Sequence, residues 1–142
     1  MAGKRKHEAG SSSTAKCAKP ADVACVIGID FGTSRTGYAY AFPSHEDLIV
    51  CKEPGGQDAT KTATSILLGS DMRFKKFGNA ARRQYYEDAD TSTLLCENFK
   101  MRLHDEGSGP KMTTAANGKK VSLMKTITET LRCHLSALQR DL

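Results

Sequence analysis

The sequence lacks the apolar core of a secretory signal, and its longest apolar stretch, Val23 to Ile29, is far too short to span a bilayer. A soluble, cytoplasmic protein with no membrane partner is the expectation. There is no C-x-x-C. The five cysteines, Cys17, Cys25, Cys51, Cys96 and Cys133, are odd in number and widely spaced. Reduced thiols are expected rather than a disulfide framework. The absence of G-x-G-x-x-G excludes a Rossmann dinucleotide site, and no internal repeat is visible. Nor is there a broad excess of one charge. The net charge is +5, but Lys4, Arg5, Lys6, Lys16 and Lys19 stand against Glu8 alone within residues 1–21. The remainder is nearly neutral, which argues against a nucleic-acid-binding domain.

The 142 residues suffice for one domain with a real core. Residues 1–21 are rich in Lys, Ser, Ala and Gly and read as a disordered basic tail. Its "KRK" is a nuclear-import signal, a weak nucleic-acid contact or, most simply, part of a solubilising tail. Order is expected from about residue 22 onward. "VACVIGI" reads as a buried strand. "TGYAYAF" alternates large and small side chains, as a strand with two unlike faces does. The two form a hairpin. "LIVCK", "SILLG" and "MRFKKFG" follow as strands, with a loop over "EPGGQDATKTAT" and a turn around Gly69–Asp71. "NAARRQYYEDA" suits a helix with Asn79 as N-cap. "TSTLLCENFKMRLH" is roughly helix-spaced through Leu94, Leu95, Phe99 and Leu103. Asn117–Gly118 marks a hairpin. "SLMKTITETLRCHLSALQRDL" is an amphipathic helix capped by Ser122, its stripe of Leu123, Met124, Ile127, Leu131, Leu135 and Leu138 expected in the core.

Chemistry concentrates in "VIGIDFGTSRTGYAYAF". Gly32 and Gly37 stand five apart after an apolar run, as in a P-loop, but Tyr38 and Ala39 follow where Lys and Ser/Thr are required. Asp30 ends the strand, either as a turn-former bonding nearby amides or as a hard ligand for a cation. Gly32 permits close backbone approach. The N–H groups of Gly32, Thr33 and Ser34 would form an anion-binding concavity, with two hydroxyls beside it. Asp30 would then hold Mg²⁺ through water, since that ion keeps much of its hydration shell. The four histidines are scattered. Cys133 and His134 are adjacent, and neighbours on a helix do not face one another.

"IGIDFGTS…GYAY" resembles the first phosphate loop of the actin, sugar-kinase and 70-kilodalton heat-shock superfamily. "TATSILL…FKKFGNAARRQ" is similar to the heat-shock T-x-P-S strand that precedes "IGDAAKNQ". "ENFKMRLH" looks like the segment carrying that family's catalytic lysine. The wording is most like the heat shock 70 kDa protein 12 branch, from about Val23 to the C-terminus. The resemblance implies an α/β fold, a partial actin-like ATPase (ribonuclease H-like) domain. An N-terminal hairpin and sheet would be followed by helices of an inserted subdomain. Residues 22–142 would make an incomplete nucleotide-binding domain, lacking the second phosphate loop and adenosine pocket. It implies ATP or ADP and Mg²⁺ as ligands, and the remaining ATPase lobe or another protein as partner. Asp30 would hold the metal's water shell, Gly32, Thr33 and Ser34 the phosphates, and Lys100 the γ-phosphate and attacking water. Arg35 departs from the pattern, as a further phosphate contact or a solvent-facing cation. Two functions remain open. One is the ATP-binding element of a heat-shock-type chaperone ATPase, truncated and without turnover alone. The other is a non-enzymatic interaction or regulatory module.

Overall fold

A computed structural model describes residues 24–45, 47–88 and 90–142. The basic tail with its "KRK", and Cys17, lie outside them. The chain is mixed α/β, and every strand pairing is antiparallel. β1 (Val26–Phe31), β2 (Arg35–Ala41) and β3 (Ile49–Lys52) form a meander, and β4 (Thr62–Ala63) adds to the start of β2. β6 (Phe74–Phe77), β5 (Ser65–Leu68) and β7 (Leu94–Glu97) form a second sheet with β5 in the middle. α1 (Gly78–Glu87) follows β6 directly. β8 (Met112–Thr114) and β9 (Lys120–Ser122) make a hairpin, and α2 (Leu123–Asp141) closes the chain.

The central position of β5 explains its unbroken "SILL". Ile66 and Leu68 enter the main core with Phe77, Leu94, Phe99, Val121 and Leu123, whereas Leu67 joins Ala81 and Leu95 under α1. A strand covered on both faces has no polar side to alternate with. β2 does alternate. Thr36, Tyr38 and Tyr40 are buried, and Tyr38 and Tyr40 pack on Ala137 and Leu138 of α2. At the end of α2, Asp141 accepts from the Tyr38 hydroxyl and pairs with Lys52, which ties the helix to the sheet.

Four sequence expectations need correction. "VACVIGI" is not a buried strand: β1 lies at the edge of its sheet, with Val26, Ile27 and Ile29 about half exposed. Residues 94–103 are not a helix. They are β7 followed by a 3-10 turn, Phe99–His104. Leu94, Leu95 and Cys96 are all buried, and three consecutive buried residues fit a covered strand better than a helix face. Asn79 does not cap α1. The N-cap is Phe77, and the Asn79 amide donates to the Thr62 hydroxyl at 3.0 Å. The Asn117–Gly118 hairpin forms as expected, with a loop over residues 115–119 and Gly118 at positive φ. Finally, α2 buries a different face. Thr126, Thr130, His134 and Ala137 face inward with Leu123 and Leu138, while Met124, Leu131 and Leu135 are exposed. Ser122 does cap α2, accepting from the Lys125 amide.

Candidate functional site

Asp30 is the fifth residue of β1, and its carboxylate is exposed. The chain reverses through Gly32, Thr33 and Ser34, and β2 begins at Arg35. Gly37 lies within β2, opposite Asp30, so it belongs to the strand and not to a phosphate cradle. The reversal is tight enough that a Cβ on Gly32 would overlap the Arg35 carbonyl. Thr64 clasps the turn from the side. Its amide donates to Ser34 O and its hydroxyl to Gly32 O, both at 2.9 Å. Among the described residues, no acceptor is found for the N–H groups of Thr33 and Ser34. An anion-binding turn requires N–H groups without internal acceptors.

The turn is held against the segment carrying Lys100. Phe31 packs beside Phe99, ring centroids 6.2 Å apart, and Phe99 is fully buried in the main core. The Lys100 ammonium donates to Phe31 O and lies 5.3 Å from the Phe31 ring centroid. The Thr33 hydroxyl is 3.8 Å from Met101 Sδ. Asn98 makes this arrangement possible. Its left-handed backbone, φ 50°, ends β7 and starts the 3-10 turn in one residue. Asp30, Gly32, Thr33, Ser34 and Lys100 are thus neighbours in space although up to 70 positions apart in sequence. Arg35 stands at the same place but is turned onto the chain, its guanidinium donating to Lys61 O at 2.9 Å.

Three participants were given no role from sequence. Lys61 forms an ion pair with Asp30. The hydrogen bond and charge of Lys61, followed by the more distant charge of Lys100, hold the Asp30 carboxyl below its ordinary value. Thr36 and His134 are the other participants. Both are fully buried, and Thr36 Oγ1 lies 2.7 Å from Asp30 O and 2.7 Å from His134 Nε2. His134 Nδ1 faces Thr130 O at 2.9 Å, so Nδ1 carries the proton and Nε2 accepts. The single hydroxyl proton of Thr36 is shared between two acceptors. Burial pushes the His134 pKa down. Cys133, its neighbour, is pushed up to about 12, by burial first and the Glu129 charge second. That thiol stays protonated and does not make a nucleophilic pair with His134.

The residues supply one carboxylate at the turn. Among the described residues, no group of three or more His, Cys, Asp or Glu side chains is placed to cage a metal. That set fits an ion held through its water shell and its ligand's phosphates, not one ligated wholly by protein. An open groove of about 680 Å³ borders Asp30 and Lys61 along Gly28, Gly37, Ala39 and Cys51. The turn and Lys100 do not line it, so Asp30 and Lys61 mark the boundary between groove and turn. Among the described residues, no helix is long and apolar enough to cross a membrane.

No family model matches the chain, and no solved structure does either. It is 42% identical over 111 residues to heat shock 70 kDa protein 12A of Mus musculus, and 40% identical over 111 residues to that of Homo sapiens. To heat shock 70 kDa protein 12B of Homo sapiens it is 35% identical over 123 residues. These matches cover 70–79% of this chain, and the chain spans only 16–18% of the relatives' length. Across that shared segment, the chain is a homologue of the heat shock 70 kDa proteins 12A and 12B.

Proposed function

We propose that residues 22–142 form one wall of a magnesium–nucleotide site of the actin-like, heat-shock ATPase type. The observation that carries this reading is the docking of the Gly32–Ser34 turn against Lys100. It sets two N–H groups, without an acceptor among the described residues, and an ammonium near a carboxylate. Mg²⁺ would supply charge neutralisation between phosphates and carboxylate. Asp30 would hold its water shell, the amides of Thr33 and Ser34 with their hydroxyls would bind phosphate oxygens, and Lys100, now on Phe31 O, would serve the terminal phosphate. Such positioned charge does most of the work in phosphoryl transfer. With one carboxylate at hand, this chain alone should bind Mg-ADP weakly and hydrolyse no ATP at a meaningful rate. Calorimetric titration with Mg-ADP tests the reading. Binding should weaken at least about tenfold in Asp30→Ala and in Lys100→Ala, since charged contacts to ligand are each worth roughly 1.5–3 kcal/mol. Unchanged affinity in both variants overturns it. Robust ATP turnover that vanishes in Asp30→Ala overturns the incompetence of the lone chain.

A second reading has its own observation. Val26, Ile27 and Ile29 on the edge strand β1, and Leu131 and Leu135 on α2, are between 43% and 58% exposed. By register, Ile27 and Ile29 share the sheet face of Tyr40 and Tyr38, the face that α2 covers. Exposed apolar surface of that kind marks an interaction site. Under this reading the fold is kept for pairing with another lobe or protein. Size-exclusion chromatography with and without a candidate partner separates the two.

A further inference from the structure

The ion pair between Lys61 and Asp30 is built in, not incidental. Gly37 lies beneath the Lys61 segment, and a Cβ there would overlap the Thr60 carbonyl. The segment therefore lies flush on β2. Arg35 holds the Lys61 carbonyl, and the next residues, Thr62 and Ala63, pair with Thr36 and Arg35 as β4. With its backbone fixed on both sides, Lys61 reaches the Asp30 carboxylate, and both side chains stay about half exposed, 49% and 57%. Arg35 thus serves to anchor the lysine. The ammonium also borders the open groove beside Asp30.

We propose that Lys61 is a tethered counter-ion. It competes with a divalent cation for Asp30 and, once displaced, faces the anionic ligand that brings the cation. The proposal rests on the nucleotide reading above. An exposed ion pair contributes little net stability. A metal carried by a polyphosphate therefore displaces the ammonium readily and gains a cation at the rim. A bare metal displaces it without that gain. Lys61 thereby discriminates metal-bound polyphosphate from free metal, with no change of fold.

The test uses the full chain and Lys61→Met. Mn²⁺ alone is titrated by water-proton relaxation and Mg-ADP by calorimetry, and thermal unfolding checks that the variant is folded. Removing the ammonium should tighten Mn²⁺ binding about three- to fivefold, the range an exposed pair permits, and weaken Mg-ADP at least about threefold. Lys61→Arg should restore both. A purely structural role moves the two affinities together. Movement in the same direction, or of neither, overturns the proposal. So does the absence of detectable Mn²⁺ binding in both chains at millimolar metal. Asp30→Asn separates the two claims. If it abolishes Mn²⁺ binding while Lys61→Met is silent, only the counter-ion role falls. If Mn²⁺ binding survives in Asp30→Asn, the metal is elsewhere and both readings fall.

Discussion

Replacing Thr36 with valine keeps the shape of the side chain and removes one hydroxyl. In the fully buried interval between β2 and α2, that hydroxyl serves both Asp30 O and His134 Nε2, each at 2.7 Å. Without it, the imidazole acceptor has no donor and the Asp30 carbonyl loses one. An unsatisfied buried polar group costs about 1–3 kcal/mol, so Thr36→Val should lose roughly 3 kcal/mol in all. For a domain of this size that is about 10 °C of Tm, and a large part of a total stability of about 5–15 kcal/mol. Urea unfolding followed by circular dichroism measures it. Thr36→Ser should lie close to the parent. The double variant Thr36→Val, His134→Leu should recover part of the loss, because it removes the orphaned imidazole and leaves only the Asp30 carbonyl short of a donor. A coupling energy of about 1 kcal/mol or more is expected between residues in contact. A Thr36→Val chain within about 0.5 kcal/mol of the parent would show that the hydroxyl is not holding the end of β1 to α2, and the reasoning fails.

Stability should fall on acidification. The folded pKa of His134 is depressed by burial, so the folded state binds its proton less readily than the unfolded chain does. Stability is complete above the unfolded value of about 6.5 and is lost as pH drops from there through the lowered folded value. His134→Leu should remove that part of the pH profile in denaturant melts. Glu53 is 2% exposed and accepts from the Gly55 and Gln57 amides. Glu53→Ala should cost about 1–3 kcal/mol and open residues 54–60 to limited proteolysis. Leu131→Lys and Leu135→Lys change exposed positions and should shift stability by no more than about 0.5 kcal/mol. If the second reading holds, they should abolish partner co-elution on size exclusion.

The strands were legible where burial was one-sided or complete. "TGYAYAF" alternates because Tyr38 and Tyr40 face α2 while Gly37 and Ala39 face the groove, and "SILL" runs unbroken because β5 is covered twice. Residues 94–103 were not legible, because Leu94, Leu95, Phe99 and Leu103 satisfy helical spacing by coincidence. The signal that decides the matter is the left-handed residue at Asn98, a backbone torsion that composition does not encode. The face of α2 was misassigned for a related reason. Polar Thr126, Thr130 and His134 are buried because each has a hydrogen-bond partner, and hydrophobicity alone gives no credit for that. At the proposed site, the turn residues and Lys100 were named from the resemblance, and the structure brings them together. Lys61 was not, since a lysine before a short strand looks like any solvated lysine. Only the glycine beneath it, with no room for a Cβ, hints that its segment is pressed against the sheet.

Asn98 does not line the groove, and it is exposed. Yet it is the single residue between a strand sunk in the core and the turn that carries Lys100, the lysine of the proposed site. The aim of Lys100 is therefore governed by one torsion angle at the surface. Glycine at that position would preserve the aim. A β-branched residue would leave the core composition intact and swing the ammonium away from Phe31 O. Damage to this site can thus arise from a substitution that a survey of buried or ligand-facing residues would pass over as harmless.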